Sequence, residues 1–224
     1  MEQKTIFAPI QRKFLELVLK EPYFRKNYYW TGGTVLAEIY LHHRESYDID
    51  LFTERHEVHI PSVNKFVGIA GTLLHAKKIS HSRFLGLQSY LFSFATQPDL
   101  KVDFNYYPFP RIDSRGKWKG LSIDSLLDIA VNKIHTVSIK PRARDYVDIY
   151  FILQQKDTDL RLSRLIQLAK VKFDWHIGPV QLGENFTKVI TVKDLPKMLV
   201  PFNKKDMVEF FVTLAKDLKK EIFE

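Results

Sequence analysis

The chain has 224 residues, of which 45% are hydrophobic and 27% charged, with a mass of 26.4 kDa and a mean hydropathy of -0.20. It can bury a core without staples, and these values exclude a mainly disordered or membrane-embedded protein. The absence of Cys excludes disulfides, zinc ribbons, iron–sulfur ligation and thiol nucleophiles, while 34 Lys and Arg against 26 Asp and Glu give a formal charge of +8.

That charge favours a polyanionic partner, nucleic acid or a nucleoside triphosphate; the alternative is that Lys-rich helices only keep the protein in solution. No run of 18 apolar residues occurs, and the opening Met1-Glu2-Gln3-Lys4-Thr5 leads into no apolar leader core. The expectation is a cytoplasmic protein with no membrane partner.

In chain order, Ile6, Ile10, Phe14, Leu17 and Val18 recur at helical spacing and predict an amphipathic helix over 6–19. Tyr28-Tyr29-Trp30 reads as a short buried strand, Gly32-Gly33 as a turn, and 34–41 as a helix. Residues 48–52, Asp-Ile-Asp-Leu-Phe, alternate as a strand. A helix opened by Pro61 runs to His75. Strands over 77–84, 87–95 and 100–107 suggest a meander, with a turn at Gln97-Pro98-Asp99. Beyond the polar stretch 113–120 the pattern turns helical, over 124–137, 142–153, 160–171 and 204–223, while 180–200 reads as irregular. The expected organisation is α+β: residues 1–120 form a core with a mixed sheet flanked by helices, and 121–224 form a helical domain.

The chemistry starts at Asp48 and Asp50. Two residues apart on a strand, they share a face. Two carboxylates about 4 Å apart repel by roughly 4 kcal/mol at an effective dielectric near 20 unless a cation lies between them or one takes a proton. Oxygen-only ligands suit Mg²⁺ or Mn²⁺; the plain alternative is an exposed strand end. Upstream, Gly32-Gly33-Thr34 joins a strand to a helix, where glycines admit an anion close to free backbone N–H groups. The competing reading is a turn that needs positive φ. Asp103, within Lys101-Val102-Asp103-Phe104, alternates away from two apolar residues and either completes an acidic cluster or is a solvated strand residue.

In the helical part Lys133 shares a stripe with Leu126 and Ala130, so it either snorkels to the surface or reaches a phosphate. Asp148 interrupts the apolar helix 146–153, with Asp145 on the same face, and needs a cation from among Lys133, Arg142 and Arg144. A structural ion pair and a role toward substrate are both open. His42, His43 and His135 lack metalloprotease spacing, and no Gly-x-Ser-x-Gly, Walker A or Gly-x-Gly-x-x-Gly pattern occurs.

Taken together, Gly32-Gly33-Thr34, the 14-residue spacer 34–47, and His43-Arg44-Glu45-Ser46-Tyr47-Asp48-Ile49-Asp50-Leu51-Phe52 resemble the signature of AbiEii/AbiGii-type nucleotidyltransferase toxins, a branch of the polymerase-β-like superfamily. Lys133, then Arg144-Asp145 and Asp148, resembles the family's second block. The resemblance covers residues 28–155. It implies a polymerase-β-like core in which Asp48, Asp50 and Asp103 hold Mg²⁺ or Mn²⁺. Gly32, Gly33 and Thr34 would contact the triphosphate, with Arg44, Ser46 and Asp145 completing the nucleotide-binding set. Lys133 and Asp148 would be the essential pair of the second block. Implied partners are an NTP, an RNA acceptor such as the tRNA 3′ end, and a co-encoded antitoxin. Two other readings stay open: a non-catalytic nucleotide- or RNA-binding module, and a transferase that modifies a partner protein.

Overall fold

A computed structural model describes residues 5–155 and 159–223, with side chains described as far as 218. Residues 1–4, on which part of the leader reading rested, lie outside them. The chain forms two compact units. The first comprises Met1–Tyr40, Glu45–Pro110 and Ser114–Ser125; the second comprises Leu41–Arg44, Arg111–Asp113 and Leu126–Glu224.

The first unit is built on a mixed seven-stranded sheet: β1 (Tyr29–Thr31), β2 (Ile49–Thr53), β3 (Lys78–Phe84), β4 (Leu87–Ser93), β5 (Leu100–Tyr106), β6 (Gly116–Trp118) and β7 (Leu121–Ile123), in the order β3-β4-β5-β2-β1-β7-β6. β3, β4 and β5 form the expected antiparallel meander, whereas β5 runs parallel to β2 and β7 parallel to β1. Alternation decides the faces. Gln88, Tyr90 and Phe92 on β4 and Leu100, Val102 and Phe104 on β5 are buried. Phe92, Phe104 and Tyr90 among them meet helices α1 (Pro9–Lys20), α2 (Pro22–Asn27) and α4 (Ile60–Leu73). Phe14 of α1 lies 5.7 Å from Phe66 and 5.6 Å from Phe92 between ring centroids, and Phe24 of α2 lies 4.5 Å from Phe66 and 5.7 Å from Phe104. These edge-to-face and tilted rings make an aromatic core that fixes which sheet face is left for chemistry.

The polar stretch 113–120 carries structure that the sequence reading did not name: β6 and β7 form a hairpin in which Trp118 faces Leu121 across Lys119 and Gly120. Both turn residues have positive φ, 48° and 92°, as a type I′ turn requires; Lys at the first position hid the signal. The helix expected over 34–41 begins at Gly32 as a single α-turn, α3 (Gly32–Val35), and continues over Leu36–Leu41 as a π-helix. Asp48 stands one residue before β2 rather than on it.

The second unit is helical: α5 (Leu126–Ile139), α6 (Ala143–Leu153), α7 (Leu162–Phe173), α8 (Pro179–Thr187), a 3₁₀ turn over Lys188–Thr191, and α9 (Lys204–Phe223). The irregular stretch expected over 180–200 is thus half helical. Pro179 opens α8 and Leu182, Phe186 and Val189 bury one stripe, while Gly183 within the helix weakens its local signal. α5 packs against α6, α7 and α8, and α9 covers α6 and α8. Asn185 donates from Nδ2 to the carbonyls of Val137 and Ser138, each at 2.8 Å, satisfying the end of α5. Buried Asp128 accepts the N–H groups of Ile112 (3.1 Å) and Asp113 (3.0 Å) and pairs with Lys172 Nζ at 2.7 Å. Those bonds tie the short crossing 111–113 to α5. No helix among the described residues is long and apolar enough to cross a membrane.

Candidate active site

On the sheet face opposite the aromatic core of the first unit, register partners align in one row: Thr31 on β1 with Asp50 on β2, Asp50 with Asp103 on β5, Asp103 with Ser89 on β4, and Ser89 with Ser82 on β3. Neighbouring strands lie about 4.8 Å apart. The row therefore sets two carboxylates side by side, and Asp48 stands two residues before Asp50 on the same side.

Gly32 closes this site at the end of β1. Its φ is +81°, and a Cβ built there would fall 2.8 Å from Asp50 Cγ. Glycine is needed twice over, for the left-handed backbone and for the Asp50 side chain lying against its Cα. Thr34 is buried, and its hydroxyl donates to the Asp48 carbonyl while bonding the Ser46 hydroxyl at 2.9 Å. Gln11 Nε2 donates to the Ser46 carbonyl at 3.0 Å. The hydroxyls of Thr34 and Ser46 thus hold the chain that carries Asp48.

Two residues that sequence reasoning missed complete this arrangement. Ser89 donates to Asp103 Oδ1 at 2.5 Å, and Lys101 Nζ lies 2.5 Å from Asp103 Oδ2 and 3.9 Å from Asp48 Oδ2. Strand alternation places Lys101 on the face of Asp103, a signal present in the sequence, whereas Ser89 is recognisable only through the β4–β5 register. Among the described residues no three His, Asp or Glu side chains converge closely enough to hold a metal ion as they stand. Asp48 and Asp103 are gathered around an ammonium.

The second unit gathers the other predicted residues around Asp148, on α6. Asp148 is fully buried; it accepts from Arg44 Nε at 2.6 Å and Nη2 at 2.8 Å, lies 2.8 Å from His43 Nε2, and pairs with Lys133 Nζ at 2.6 Å. Lys133, on α5, also reaches Asp145 Oδ1 at 2.8 Å. Asp145 in turn accepts from the backbone N–H and Nε of Arg142 at 3.1 and 3.0 Å. Lys133 thus turns inward onto two buried carboxylates and does not snorkel. Of the cations expected beside Asp148, Lys133 is there; Arg142 serves Asp145, and the dominant fork comes from Arg44. His43 and Arg44 lie over 100 residues upstream, beyond any local pattern.

Burial acts to raise the Asp148 pKa, but Lys133 and Arg44 more than offset it and hold the carboxyl well below its usual range. Asp145 behaves alike: burial raises it, and Lys133 with Arg142 brings it below its ordinary value. His43 is moved the other way. Burial lowers its pKa more than Asp148 raises it, so the ring is neutral and donates from Nε2; its Nδ1 is buried without a partner.

Comparison with known proteins agrees with this architecture. A family model described as nucleotidyl transferase AbiEii toxin, type IV toxin–antitoxin system, matches residues 13–219. Among solved structures, JHP933 from Helicobacter pylori superposes with a TM-score of 0.58 at 16% identity, covering 95% of this chain and 90% of that one. A candidate nucleotidyltransferase from H. pylori gives 0.59 at 15% identity over 95% and 92%. At such identity these likenesses establish the fold. Among curated proteins none matches the chain significantly.

Proposed function

Because the chain belongs to the AbiEii nucleotidyl transferase toxin family, we propose that it moves a nucleotide from an NTP to the hydroxyl of an RNA acceptor such as the tRNA 3′ end, with Asp48, Asp50 and Asp103 as the metal-binding carboxylates. The observation that carries this reading is the register of Asp50 with Asp103 beside the Gly32 turn. Three oxygen donors, with a Lys ammonium already seated between two of them, have the chemistry that suits Mg²⁺ or Mn²⁺. When bound, such a metal neutralises the triphosphate and eases loss of the acceptor proton.

The chain's own residues supply the positioning. Gly32 lets backbone and phosphate approach closely beside Asp50. Thr34 and Ser46 fix the loop that carries Asp48, and Ser89 aims one oxygen of Asp103. Little covalent chemistry is asked of the protein in phosphoryl transfer, so preorganisation of this kind supplies most of the acceleration. The charge of +8 supports a polyanionic acceptor, and family membership supports a co-encoded antitoxin as regulatory partner.

The test is incubation with each of four α-labelled NTPs, Mg²⁺ and total RNA, beside Asp50→Asn, read on a denaturing gel. Label on a tRNA-sized band that vanishes in the variant is the expected outcome. Label on protein would replace the RNA acceptor with a partner protein, and no label with any NTP would favour a binding module.

A further inference from the structure

We propose that Lys101 is a resident counter-cation of the carboxylate site, holding Asp103 and Asp48 together before metal binds and yielding its place when metal and nucleotide arrive together. This rests on the reading of Asp48, Asp50 and Asp103 as metal ligands.

The geometry is specific. Lys101 and Asp103 are two residues apart on β5, so both project from the same face. The ammonium sits 2.5 Å from Asp103 Oδ2 and 3.9 Å from Asp48 Oδ2, a position between two carboxylates. Asp103 is held from its other oxygen by Ser89, so its orientation survives departure of the lysine. The Lys101 side chain is 40% exposed against 10% for Asp103, which leaves the ammonium a path outward on a flexible four-carbon stem. Lysine suits this use: it is a compact point charge without the rigid two-point fork by which arginine locks onto a carboxylate.

The single Lys101 ammonium offsets one charge of the two carboxylates it touches. The site is therefore stabilised without metal yet still attracts a divalent cation. A metal arriving alone must break the Lys101 contacts and then faces a nearby positive charge. A metal arriving with a triphosphate brings anionic oxygens that give the released ammonium a new partner. The two ligands should then bind cooperatively, with Lys101 as the coupling element.

The experiment is Mn²⁺ titration of the full chain, followed by electron paramagnetic resonance, for wild type, Lys101→Met and Lys101→Arg, with and without an α,β-methylene NTP analogue. Circular dichroism confirms that each variant is folded. Without nucleotide, Lys101→Met should bind Mn²⁺ roughly tenfold more tightly than wild type, and Lys101→Arg no more tightly than wild type. The analogue should tighten Mn²⁺ binding in wild type by a larger factor than in Lys101→Met. Equal or weaker Mn²⁺ affinity in Lys101→Met, or an equal gain from the analogue, overturns the inference. Asp103→Asn separates the two levels: wild-type binding that this substitution leaves untouched, or no wild-type binding at all, overturns the metal-ligand reading itself.

Discussion

Asp50 and Asp103 are direct register partners on neighbouring parallel strands, although 53 positions separate them in the sequence. Replacing Asp50 with Asn keeps the shape and removes one charge from a site that is rich in carboxylates. The variant should lose at least about 100-fold in nucleotide transfer with its circular dichroism spectrum and urea midpoint unchanged or slightly raised. A labelled-transfer assay showing wild-type activity would remove Asp50 from the site.

Gly32→Ala tests the turn. The left-handed backbone alone costs about 1 kcal/mol for a residue with a Cβ, and the added methyl would collide with the Asp50 carboxylate. The expected result is a urea midpoint lowered by about 1–3 kcal/mol in equivalent stability, together with severe loss of transfer. A variant as stable and active as wild type would mean that the loop relaxes freely there.

The Asp148 cluster separates structural from chemical roles. Lys133→Met removes a cation bonded to both Asp145 and Asp148 and should destabilise the protein by about 3–5 kcal/mol, the range for breaking a buried pair from one side. Denaturant unfolding gives this directly. If the midpoint holds while transfer is abolished, the pair serves substrate and not the fold.

Acid should destabilise the chain in two steps. His43 and His135 are both held below the ordinary 6.5 by burial. The unfolded chain therefore binds protons first, and stability should decline as the pH falls from about 6.5 toward their lower folded values. Asp148, Asp145 and Asp128 are depressed by their cation partners despite burial. Their stabilisation is complete above the unfolded carboxylate value of about 3.9 and is lost as the pH falls through the folded values beneath it. His43→Gln can still donate to Asp148 and should reduce the upper step to the His135 contribution, leaving the lower one. Melting temperatures from pH 4 to 8 check the upper step, and extension toward pH 2 checks the lower.

Local periodicity by itself determined much of this protein. The alternation through Ile49-Asp50-Leu51, the glycine turn before Thr34, the meander and most long helices follow from patterns within a few residues. Patterns of that range carry the side-chain direction of a strand or helix. They carry neither sheet order nor the register between distant strands, so the alignment of Asp103 with Asp50, and of Ser89 with Asp103, was decided by tertiary pairing. The partners of Asp148 show the same division. Helical spacing foretold that a buried Asp on α6 needs a cation, but the choice of Arg44 and His43 depended on bringing residues 43–44 against α6. Desolvation makes some cation obligatory there, and only the folded chain selects which one arrives.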